Sequence, residues 1–548
     1  MQTSNERAVR ILLVGPYDPF CGEYTFLAPP LGVWRLVGAL SAAGVHADVF
    51  DPNCCSGAPQ AALEALLRRE PWDVIGISTT GMTLRFDLQL AHAARRACPQ
   101  ALLLAGGMEA TFRPAQMFEL APFDGVVLGE GERPLLLLAE RLRAGQGLGG
   151  IPGIAERRAD GTLLRIRQPA LTAAQLREAI FHIPYERMPY RRYWERLERT
   201  YNVGGLPSKA AREASLAEIR SVRLITLNYC PMACSFCSST NFLHEAQGGV
   251  AAVARLSAAD CLAMVERIVA VHPDVRTIFF QDDIFVFTND RRVLPLCEAI
   301  VTAKAEGRLP RGLQFISTNR IDAMSVERLT AMRRAGFRVL GFGIENFSPA
   351  VLQEFNKGHI HRFIAPMLRA ALDVGITPFL DLILTSPYCR LDDLAETLRE
   401  AYRWLRAGCE IGMYPYVVPF SGAALERDPV LRQHTTYVRQ RIAGTAIEWQ
   451  QAAKILPLDA TVREAILRIE HGFETLLAGL APRAPHLPSR VRSVLWLLAA
   501  VPVMAGHGYA IADGHELAAH LDSVLPQAPG MGAARRASPL TESTLATA

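Results

Sequence analysis

The sequence lacks the marks of a secreted or membrane-inserted protein. Its first residues, MQTSNERAVR, contain none of the apolar core of a signal peptide, and the first hydrophobic run, ILLVG, is only as long as a strand. The longest apolar run, residues 494–506, is shorter than the roughly 20 residues that a bilayer span requires, and Pro502 interrupts it. We therefore expect a cytoplasmic protein without a membrane span.

An excess of charge of one sign is also lacking. Lysine and arginine number 58 against 54 aspartate and glutamate residues, and the formal net charge is +4 at pH 7. A protein that binds nucleic acid through its phosphates concentrates basic residues on one face. So mild a balance gives no indication of such a face, and we expect no nucleic-acid partner.

Cysteine is scarce for a chain of this length. Eleven cysteines among 548 residues, with no signal peptide ahead of them, indicate reduced thiols rather than a disulfide framework. Most of them have no metal-ligand spacing, and we expect these to be small buried hydrophobic side chains. These eight residues are Cys21, Cys54, Cys55, Cys98, Cys261, Cys297, Cys389 and Cys409.

The first quarter of the chain predicts a doubly wound parallel sheet. Residues 8–145 alternate short apolar runs, such as RILLVGP, DVIGIST and ALLLAGG, with helical stretches such as LQLAHAARRA. Apolar strands that are bounded by glycine and separated by helices are typical of a parallel sheet covered on both faces. Sheets of this kind bind ligands at the carboxyl ends of their strands.

The rest of the chain predicts a linker, a second α/β domain and a helical region. We expect residues 146–215 to be a linker with a hairpin around Asp160 and a bridging helix. Six further strand–helix units follow over residues 216–425, enough for a partial (β/α)6 barrel. Residues 426–525 show helical periodicity without a chemical motif, and residues 526–548 have too few apolar side chains to be ordered.

The most specific motif is NYCPMACSFCSS, at residues 228–239, which follows the predicted strand RLITLNY. Cys230, Cys234 and Cys237 are therefore expected on a loop at the carboxyl end of that strand. A structural zinc site requires four ligands, and His244, the nearest further candidate, stands alone. Thiolates also hold iron–sulfur clusters, with one ligand per iron of a cubane, so three ligands would leave one iron open to a substrate.

This motif resembles the signature of the radical S-adenosylmethionine (SAM) enzymes. The spacing C-x3-C-x2-C and the aromatic Phe236 before the last cysteine carry the resemblance. The family's partial (β/α)6 barrel agrees with the strand–helix pattern. The resemblance implies that Cys230, Cys234 and Cys237 hold a 4Fe-4S cluster whose open iron binds SAM. It further implies reductive cleavage of SAM to a 5′-deoxyadenosyl radical, with an electron from a flavodoxin or ferredoxin-type reductant.

Charged residues at the ends of later strands resemble the SAM contacts of that family. FFQDDIF, STNRID and GFGIEN each end a predicted strand with polar side chains. An ordinary salt bridge at the barrel rim is the alternative for each charged residue. The candidate SAM-binding residues are Phe236, Gln281, Asp282, Asp283, Arg320 and Glu345.

Glycine and hydroxyl motifs in the first domain resemble the Rossmann-like cobalamin-binding domain of the B12-dependent radical SAM subgroup. The motifs are GIST, AGGMEAT and VVLGEGE at predicted strand ends, together with APPLG before the first helix. Paired glycines let the backbone approach a bulky flat ligand, and hydroxyls can bond to its edge. The candidate cobalamin-binding residues are Tyr17, Ser78, Thr79, Gly106, Gly107, Met108, Glu109, Thr111, Gly129, Glu130, Gly131 and Glu132.

Two departures from the subgroup's motifs concern the cobalt. No Asp-x-His-x-x-Gly motif is present, so the resemblance implies cobalt without a lower axial imidazole, and Cys21 is weighed as an axial ligand against a packing role. Glu109 stands where relatives often have histidine. A dinucleotide site is disfavoured, because GPYDPF rather than Gly-x-Gly-x-x-Gly follows the first strand.

The resemblance implies methylation of an unactivated carbon of a small molecule, by radical hydrogen abstraction and methyl transfer from methylcobalamin. We expect a secondary metabolite as the substrate, and no side chain is assigned a catalytic role. One alternative is a B12-dependent radical SAM oxidation, cyclisation or ring rearrangement without methyl transfer. A second alternative is a non-catalytic corrinoid or cluster sensor, with the helical C-terminal region as its output.

Overall fold

Two parallel sheets, one in each half of the chain, organise the protein. The computed structural model describes residues 8–19, 27–206, 208–480 and 489–525. The expected disorder of residues 526–548 and the axial role considered for Cys21 lie outside this part of the chain.

Seven strands form the first sheet. They are β1 (Arg10–Val14), β2 (His46–Phe50), β3 (Val74–Ser78), β4 (Leu102–Gly106), β5 (Gly125–Val127), β6 (Ile154–Arg157) and β7 (Leu163–Arg165). Their spatial order is β2-β1-β3-β4-β5-β6-β7, and β1 to β5 run parallel. This confirms the predicted doubly wound sheet, in which the strand order reverses between β1 and β3, the point where such sheets bind ligands.

The hairpin around Asp160, predicted as part of a linker, belongs to this sheet. β6 pairs antiparallel with β5, and β7 pairs antiparallel with β6. Gly161 has a φ of +82°, a left-handed conformation that the tight turn requires. The first folded unit therefore extends beyond residue 145, because the hairpin strands continue the hydrogen-bond ladder of β5.

In the described part of the chain, nine α-helices accompany or follow the first sheet. They are α1 (Leu31–Ala42), α2 (Pro59–Arg69), α3 (Leu84–Ala97), α4 (Met108–Phe112), α5 (Pro114–Leu120), α6 (Glu132–Arg143), α7 (Ala173–Phe181), α8 (Tyr190–Thr200) and α9 (Lys209–Ile219). The bridging helix α8 buries Tyr190, Tyr193 and Trp194. Its arginines lie on the more exposed side, as expected of an amphipathic helix.

Six parallel strands in sequential order form the second sheet, which confirms the predicted partial barrel. They are β8 (Ser221–Leu224), β9 (Thr277–Phe280), β10 (Gln314–Asn319), β11 (Phe337–Glu345), β12 (Thr377–Ile383) and β13 (Glu410–Tyr414). Phe280, Phe315 and Phe337 on neighbouring strands stack in its core, with ring centroids 6.0 and 5.3 Å apart along the row.

Seven helices connect these strands. They are α10 (Ser239–Gln247), α11 (Ala258–Val271), α12 (Val293–Ala305), α13 (Val326–Ala335), α14 (Pro349–Glu354), α15 (His361–Asp373) and α16 (Leu391–Ala407). Local sequence sets their starts: α11 begins with a capping box in which the side chains of Ser257 and Asp260 each bond to the other's backbone amide.

The C-terminal region is helical, as predicted, but it also contains a hairpin. Its helices are α17 (Ala424–Arg427), α18 (Pro429–Arg432), α19 (Ala460–Leu480), α20 (Ser489–Gly506) and α21 (Gly514–Val524). Between them, β14 (Thr435–Arg441) and β15 (Glu448–Ile455) pair antiparallel. The sequence analysis did not predict these two strands.

Helix α20 is long and apolar enough to pass for a membrane span by length and composition. Most of it is buried in the protein, against α19 and β13. Trp496 on α20 stacks on Phe473 of α19, with ring centroids 4.1 Å apart. The helix is therefore buried like a core helix.

Candidate functional site

The three cysteines of the NYCPMACSFCSS motif lie on the loop between β8 and α10, at the carboxyl end of β8. Cys230, Cys234 and Cys237 are all partly buried and free of disulfides. The first turn of α10 holds the loop in place. The Thr240 hydroxyl donates to the Cys230 carbonyl (2.9 Å), and the Ser239 amide donates to the Cys237 sulfur (3.4 Å).

The surroundings of these thiols fit an iron–sulfur cluster. Burial above all, with Asp283 and neighbouring thiols adding to it, raises the pKa of Cys230 to about 12 and that of Cys237 to about 11. These thiols stay protonated in the absence of a cation, and cluster iron bound beside them would displace the protons and leave thiolates. No three His, Cys, Asp or Glu side chains converge on one metal ion in the described part of the chain. A cubane needs no such convergence, because each thiolate binds a different iron.

His244, considered as a zinc ligand, does not join the cysteines. Its ring packs edge-on against Tyr229, with centroids 5.5 Å apart. Its Nε2 atom is buried and has no hydrogen-bond partner among the described residues. A four-ligand zinc site is thus disfavoured.

A cavity of about 690 Å³ lies between the two sheets. It is lined by both sheets and by the C-terminal region, including Cys237, Asp283, Met108, Glu109, Phe420 and Trp449. One of the three motif cysteines and the loop after β4 therefore face the same cavity.

A second cavity of about 390 Å³ lies at the carboxyl ends of β1, β3 and β4, beside the start of α1. Its walls are mostly apolar, and Ser78, Gly106, Gly107, Gly129 and Glu130 contribute to them. This position is the reversal point of the strand order, where a doubly wound sheet binds its ligand.

Three of the predicted SAM-binding residues, Phe236, Gln281 and Asp283, line the larger cavity. Phe236 lies edge-on to Phe355, with ring centroids 5.0 Å apart. Asp283 accepts a hydrogen bond from the Ser239 hydroxyl, and burial raises its pKa. The structure thus brings these three side chains together beside Cys237.

Asp282, also predicted to contact SAM, points away from both cavities. Its carboxylate accepts hydrogen bonds from the Thr226 amide (2.6 Å) and the Thr226 hydroxyl (2.5 Å). The side chain is buried, and burial raises its pKa to about 6. Asp282 therefore joins β9 to the loop after β8.

Arg320 and Glu345 end β10 and β11 close to Cys234. Arg320 forms two hydrogen bonds with Asp322, both 2.9 Å long, and Glu345 accepts one from Lys357 Nζ (2.9 Å). Burial mainly raises the pKa of Cys234, the charges of Lys357 and Arg320 lower it, and that of Glu345 raises it. Both residues are thus paired within the barrel rim, next to the cysteine loop.

The backbone at Glu345 is irregular. Its φ is +65°, and the pairing of β11 with β12 shifts register between Gly343 and Glu345. A bulge of this kind re-aims a side chain at the end of a strand. Lys357 Nζ fixes the result, because it also donates to the Gly343 carbonyl (2.6 Å).

The predicted cobalamin-binding residues fall into two groups. Those that line a cavity are Ser78, Gly106, Gly107, Gly129, Glu130 and Gly131 for the smaller one, and Met108 and Glu109 for the larger one. The others support the walls from behind or lie next to them: Thr79, Thr111, Glu132 and Tyr17.

Hydroxyls of the supporting group hold the loops in place. The Thr79 hydroxyl donates to the Gly106 carbonyl (2.9 Å). The Thr111 hydroxyl donates to the Gly107 carbonyl (2.8 Å) and accepts from the Gly129 amide (2.9 Å). Thr111 thereby ties the loop after β4 to the loop after β5.

Tyr17 lies one residue beyond Pro16, which lines both cavities. Its backbone amide donates to Asp87 (2.9 Å), and its ring lies edge-on to Phe86 at 6.0 Å. Glu132 is buried and bonds to Arg35 (2.5 Å).

The smaller cavity fits part of a corrinoid in two respects. Gly107 lines the cavity with a φ of +97°, and a Cβ there would meet the Thr79 carbonyl oxygen at 2.5 Å, so only glycine fits between the backbone after β3 and the cavity. Glu130 lines this cavity, and its Oε1 is buried without a hydrogen-bond partner among the described residues, with Arg35 Nη2 3.8 Å away. Buried acceptors of this kind are satisfied by amide or hydroxyl donors, which a corrinoid carries.

Glu109 joins the two halves of the protein beside the larger cavity. It accepts from the Ser421 hydroxyl (3.0 Å) and pairs with Arg113 (3.3 Å). Arg113 in turn donates to Ser421 (2.8 Å) and Glu426 (3.0 Å). Burial raises the pKa of Glu109, and Arg113 opposes that shift.

Several residues that line the cavities were not predicted. Trp449 and Gln451 reach the larger cavity from β15, and Asn228 and Phe242 reach the smaller one from the second half of the chain. The alternation in EWQQAAKI was the one available signal for β15. For Phe242 there was none, since its role depends on how the two sheets pack.

Two parts of the chain match known families. Residues 18–139 match the B12 binding domain, and residues 224–401 match the radical SAM superfamily. Among curated proteins, the uncharacterized methyltransferase PH0819 of Pyrococcus horikoshii is 22% identical over 357 residues, which are 64% of this chain and 68% of that protein.

Solved structures share the fold over most of the chain. The radical SAM methyltransferase TsrM from Kitasatospora setae, with cobalamin and a 4Fe-4S cluster bound, has a TM-score of 0.63 at 15% identity over 90% of this chain and 99% of its own. OxsB, a cobalamin-dependent SAM radical enzyme with aqua-cobalamin and SAM bound, has a TM-score of 0.64 at 15% identity over 99% and 83%. Identity this low shows a shared fold. The chain thus carries a B12-binding domain followed by a radical SAM domain.

Proposed function

We propose that this protein is a cobalamin-dependent radical SAM methyltransferase that methylates an unactivated carbon of a small molecule. The observation that carries the proposal is the cavity of about 690 Å³, because Cys237 and Asp283 line it from the radical SAM domain and Met108 and Glu109 line it from the B12-binding domain. Sites for both cofactors thus border a single space that is large enough for a substrate.

In this proposal the chain holds three cofactors. Cys230, Cys234 and Cys237 hold the 4Fe-4S cluster, and the residues beside them that bind SAM include Asp283 and Glu345. The loops after β3, β4 and β5 hold cobalamin. When bound, the cluster with SAM supplies hydrogen abstraction, and cobalamin supplies the methyl group.

The chain's own residues enclose and orient the substrate. Phe112, Phe420 and Trp449 give the cavity aromatic walls against which an apolar substrate can pack. Gln450 and Gln451 offer amide groups that orient a polar substrate. A secondary metabolite with an apolar ring system and a few polar groups fits this lining.

The proposed function requires a reducing environment. The cysteines that the structure describes are all free, which agrees with a cytoplasmic location. A flavodoxin or ferredoxin-type protein is the expected electron donor, because the cluster must be reduced before it reacts.

Anaerobic reconstitution tests this function. The protein is loaded with iron, sulfide and hydroxocobalamin, bound iron and cobalt are counted, and SAM cleavage is followed with a chemical reductant. We expect Cys230→Ala to lose both iron and the formation of 5′-deoxyadenosine. A parent protein that binds iron and cobalt yet never cleaves SAM would leave the non-catalytic sensor as the better description.

The second candidate function is an oxidation, cyclisation or ring rearrangement without methyl transfer. It is favoured by the likeness to OxsB, which is described as a radical enzyme rather than as a methyltransferase. TsrM is described as a methyltransferase and was solved with its tryptophan substrate. Deuterium from the SAM methyl group appears in the product of a methyltransferase and is absent from the product of the alternative.

A further inference from the structure

Helix α10 contacts both the cysteine loop and the smaller cavity. Its first turn bonds to the loop through Ser239 and Thr240, as described above. One turn further along, Phe242 forms part of the wall of the smaller cavity. Its ring also lies edge-on to Phe112 of α4 in the B12-binding domain, with centroids 6.5 Å apart.

The opposite end of α10 is packed against the B12-binding domain. Leu243 and Ala246 are buried, and Ala246 belongs to the hydrophobic core of the first sheet. A Cβ at Gly129 would meet Ala246 Cβ at 2.5 Å, so no side chain separates α10 from the loop after β5. The helix therefore cannot move without disturbing the wall of the smaller cavity.

The cysteine loop contributes to the same wall through Asn228, two residues before Cys230. The Asn228 side chain is fully engaged: its amide donates to the Ala252 carbonyl (3.0 Å), and its oxygen accepts from the amides of Tyr229 (3.0 Å) and Ala254 (2.9 Å). Asn228 is thus a fixed part of the wall.

From these contacts we infer that the cobalamin site is completed by the radical SAM domain, with Phe242 as a cobalamin-contacting residue that also positions the cysteine loop. The inference rests on the proposed function, in which the smaller cavity takes part of cobalamin. Cobalamin binding and cluster binding then favour each other, because both require the same placement of α10. Coupling between two sites is reciprocal, and typical coupling changes an affinity by roughly 5- to 150-fold.

The test is the affinity of the full-length protein for hydroxocobalamin, measured by anaerobic equilibrium dialysis with cobalt counted by mass spectrometry. We expect tighter binding to cluster-loaded protein than to iron-free protein. Phe242→Ala should weaken binding by about 10-fold, as loss of a partly buried aromatic side chain implies, and should shrink the difference between the two states.

The rate of iron release provides a second test, and two more variants serve as controls. Bound hydroxocobalamin should slow the release of iron from the parent protein to a ferrous chelator, and Phe242→Ala should remove that protection. Phe363→Ala is the matched control, since Phe363 is also partly buried but lies on α15, beside Arg362 and outside both cavities. Phe242→Leu replaces the alanine variant if the latter does not fold, and the same trend is expected.

The outcomes separate the inference from the proposed function. Cobalamin affinity that is equal in the iron-free, cluster-loaded and Phe242→Ala proteins overturns the inference and leaves the proposed function standing. A parent protein that binds no cobalamin in either state overturns both.

Discussion

At the scale of single residues, the neighbours Asp282 and Asp283 have different surroundings. Asp282 is buried against Thr226, whereas Asp283 lines the larger cavity beside Cys237. Only one of the pair therefore faces the cavity, although the two residues are adjacent in the chain. The sequence predicts both at a strand end, but it does not reveal which of the two side chains lines the cavity.

We predict that substitution of Asp282 lowers folding stability, whereas substitution of Asp283 weakens SAM binding. Asp282→Ala removes both acceptors of Thr226 and should cost about 1–3 kcal/mol of folding stability. Asp283→Asn should leave the thermal unfolding temperature nearly unchanged and weaken SAM binding to the reconstituted protein. Thermal unfolding and equilibrium dialysis with labelled SAM measure the two effects. Equal loss of stability in both variants would contradict this division.

Glu130 gives a prediction on pH at the same scale. Burial raises its pKa from 4.5 to about 7, with Glu132 adding to the shift and Arg35 opposing it. The folded protein therefore holds a proton that the unfolded chain releases, and stability falls as pH rises from about 4.5 to 7.

The expected loss of stability between pH 6 and pH 8 from this one group is about 1 kcal/mol. Glu130→Gln should remove that part of the pH dependence, because glutamine cannot ionise. Thermal unfolding of the cobalamin-free protein at both pH values, compared with the parent, measures the difference. A variant whose pH dependence equals that of the parent would show that Glu130 ionises normally.

At the scale of elements, the hairpin of β14 and β15 spans the larger cavity. At one end the Ile455 amide donates to the Val417 carbonyl (3.0 Å), next to the barrel. At the other end, Ile442 and Trp449 pack into the core of the first sheet. The sequence analysis missed this hairpin because TTYVRQR is largely polar on both faces and so shows no clear alternation.

We expect Trp449→Ala to release the hairpin from the B12-binding domain. Truncation of a buried tryptophan typically costs about 3–5 kcal/mol of folding stability. We expect this loss to loosen the hairpin, because Trp449 packs it into the core of the first sheet. Limited proteolysis should then cut the chain within the turn at residues 442–447 faster than in the parent. Tyr437→Ala is the control on the same hairpin, because Tyr437 is 49% exposed. Equal cleavage of both variants would contradict the assigned role of Trp449.

At the scale of the whole molecule, the two sheets could be predicted but their relation could not. Apolar runs bounded by glycine identify both sheets, since each strand carries its own signal. The pairing of β6 and β7 with this sheet through β5 was not predicted, because the hairpin carries no signal of its partner strand. Contacts such as Arg113 with Glu426 span 313 positions, and no local pattern encodes them.

The candidate site could likewise be predicted only in part. The cysteine spacing locates the cluster ligands from a single loop, whereas both cavities are assembled from segments that meet only in the folded protein. Phe242, Trp449 and Gln451 became visible as lining residues only through that assembly.

No strand among the described residues pairs with the outer side of β13, which ends the six-stranded sheet, and α20 covers it. The Ser493 hydroxyl on α20 donates to the Ile411 carbonyl of β13. A chain shortened before residue 489 would leave a bare row of amides and carbonyls there, a template for edge-to-edge association between copies. Such truncations should give aggregates in light scattering. A truncated chain that stays monomeric would show that α20 is not needed to prevent association through the edge of β13.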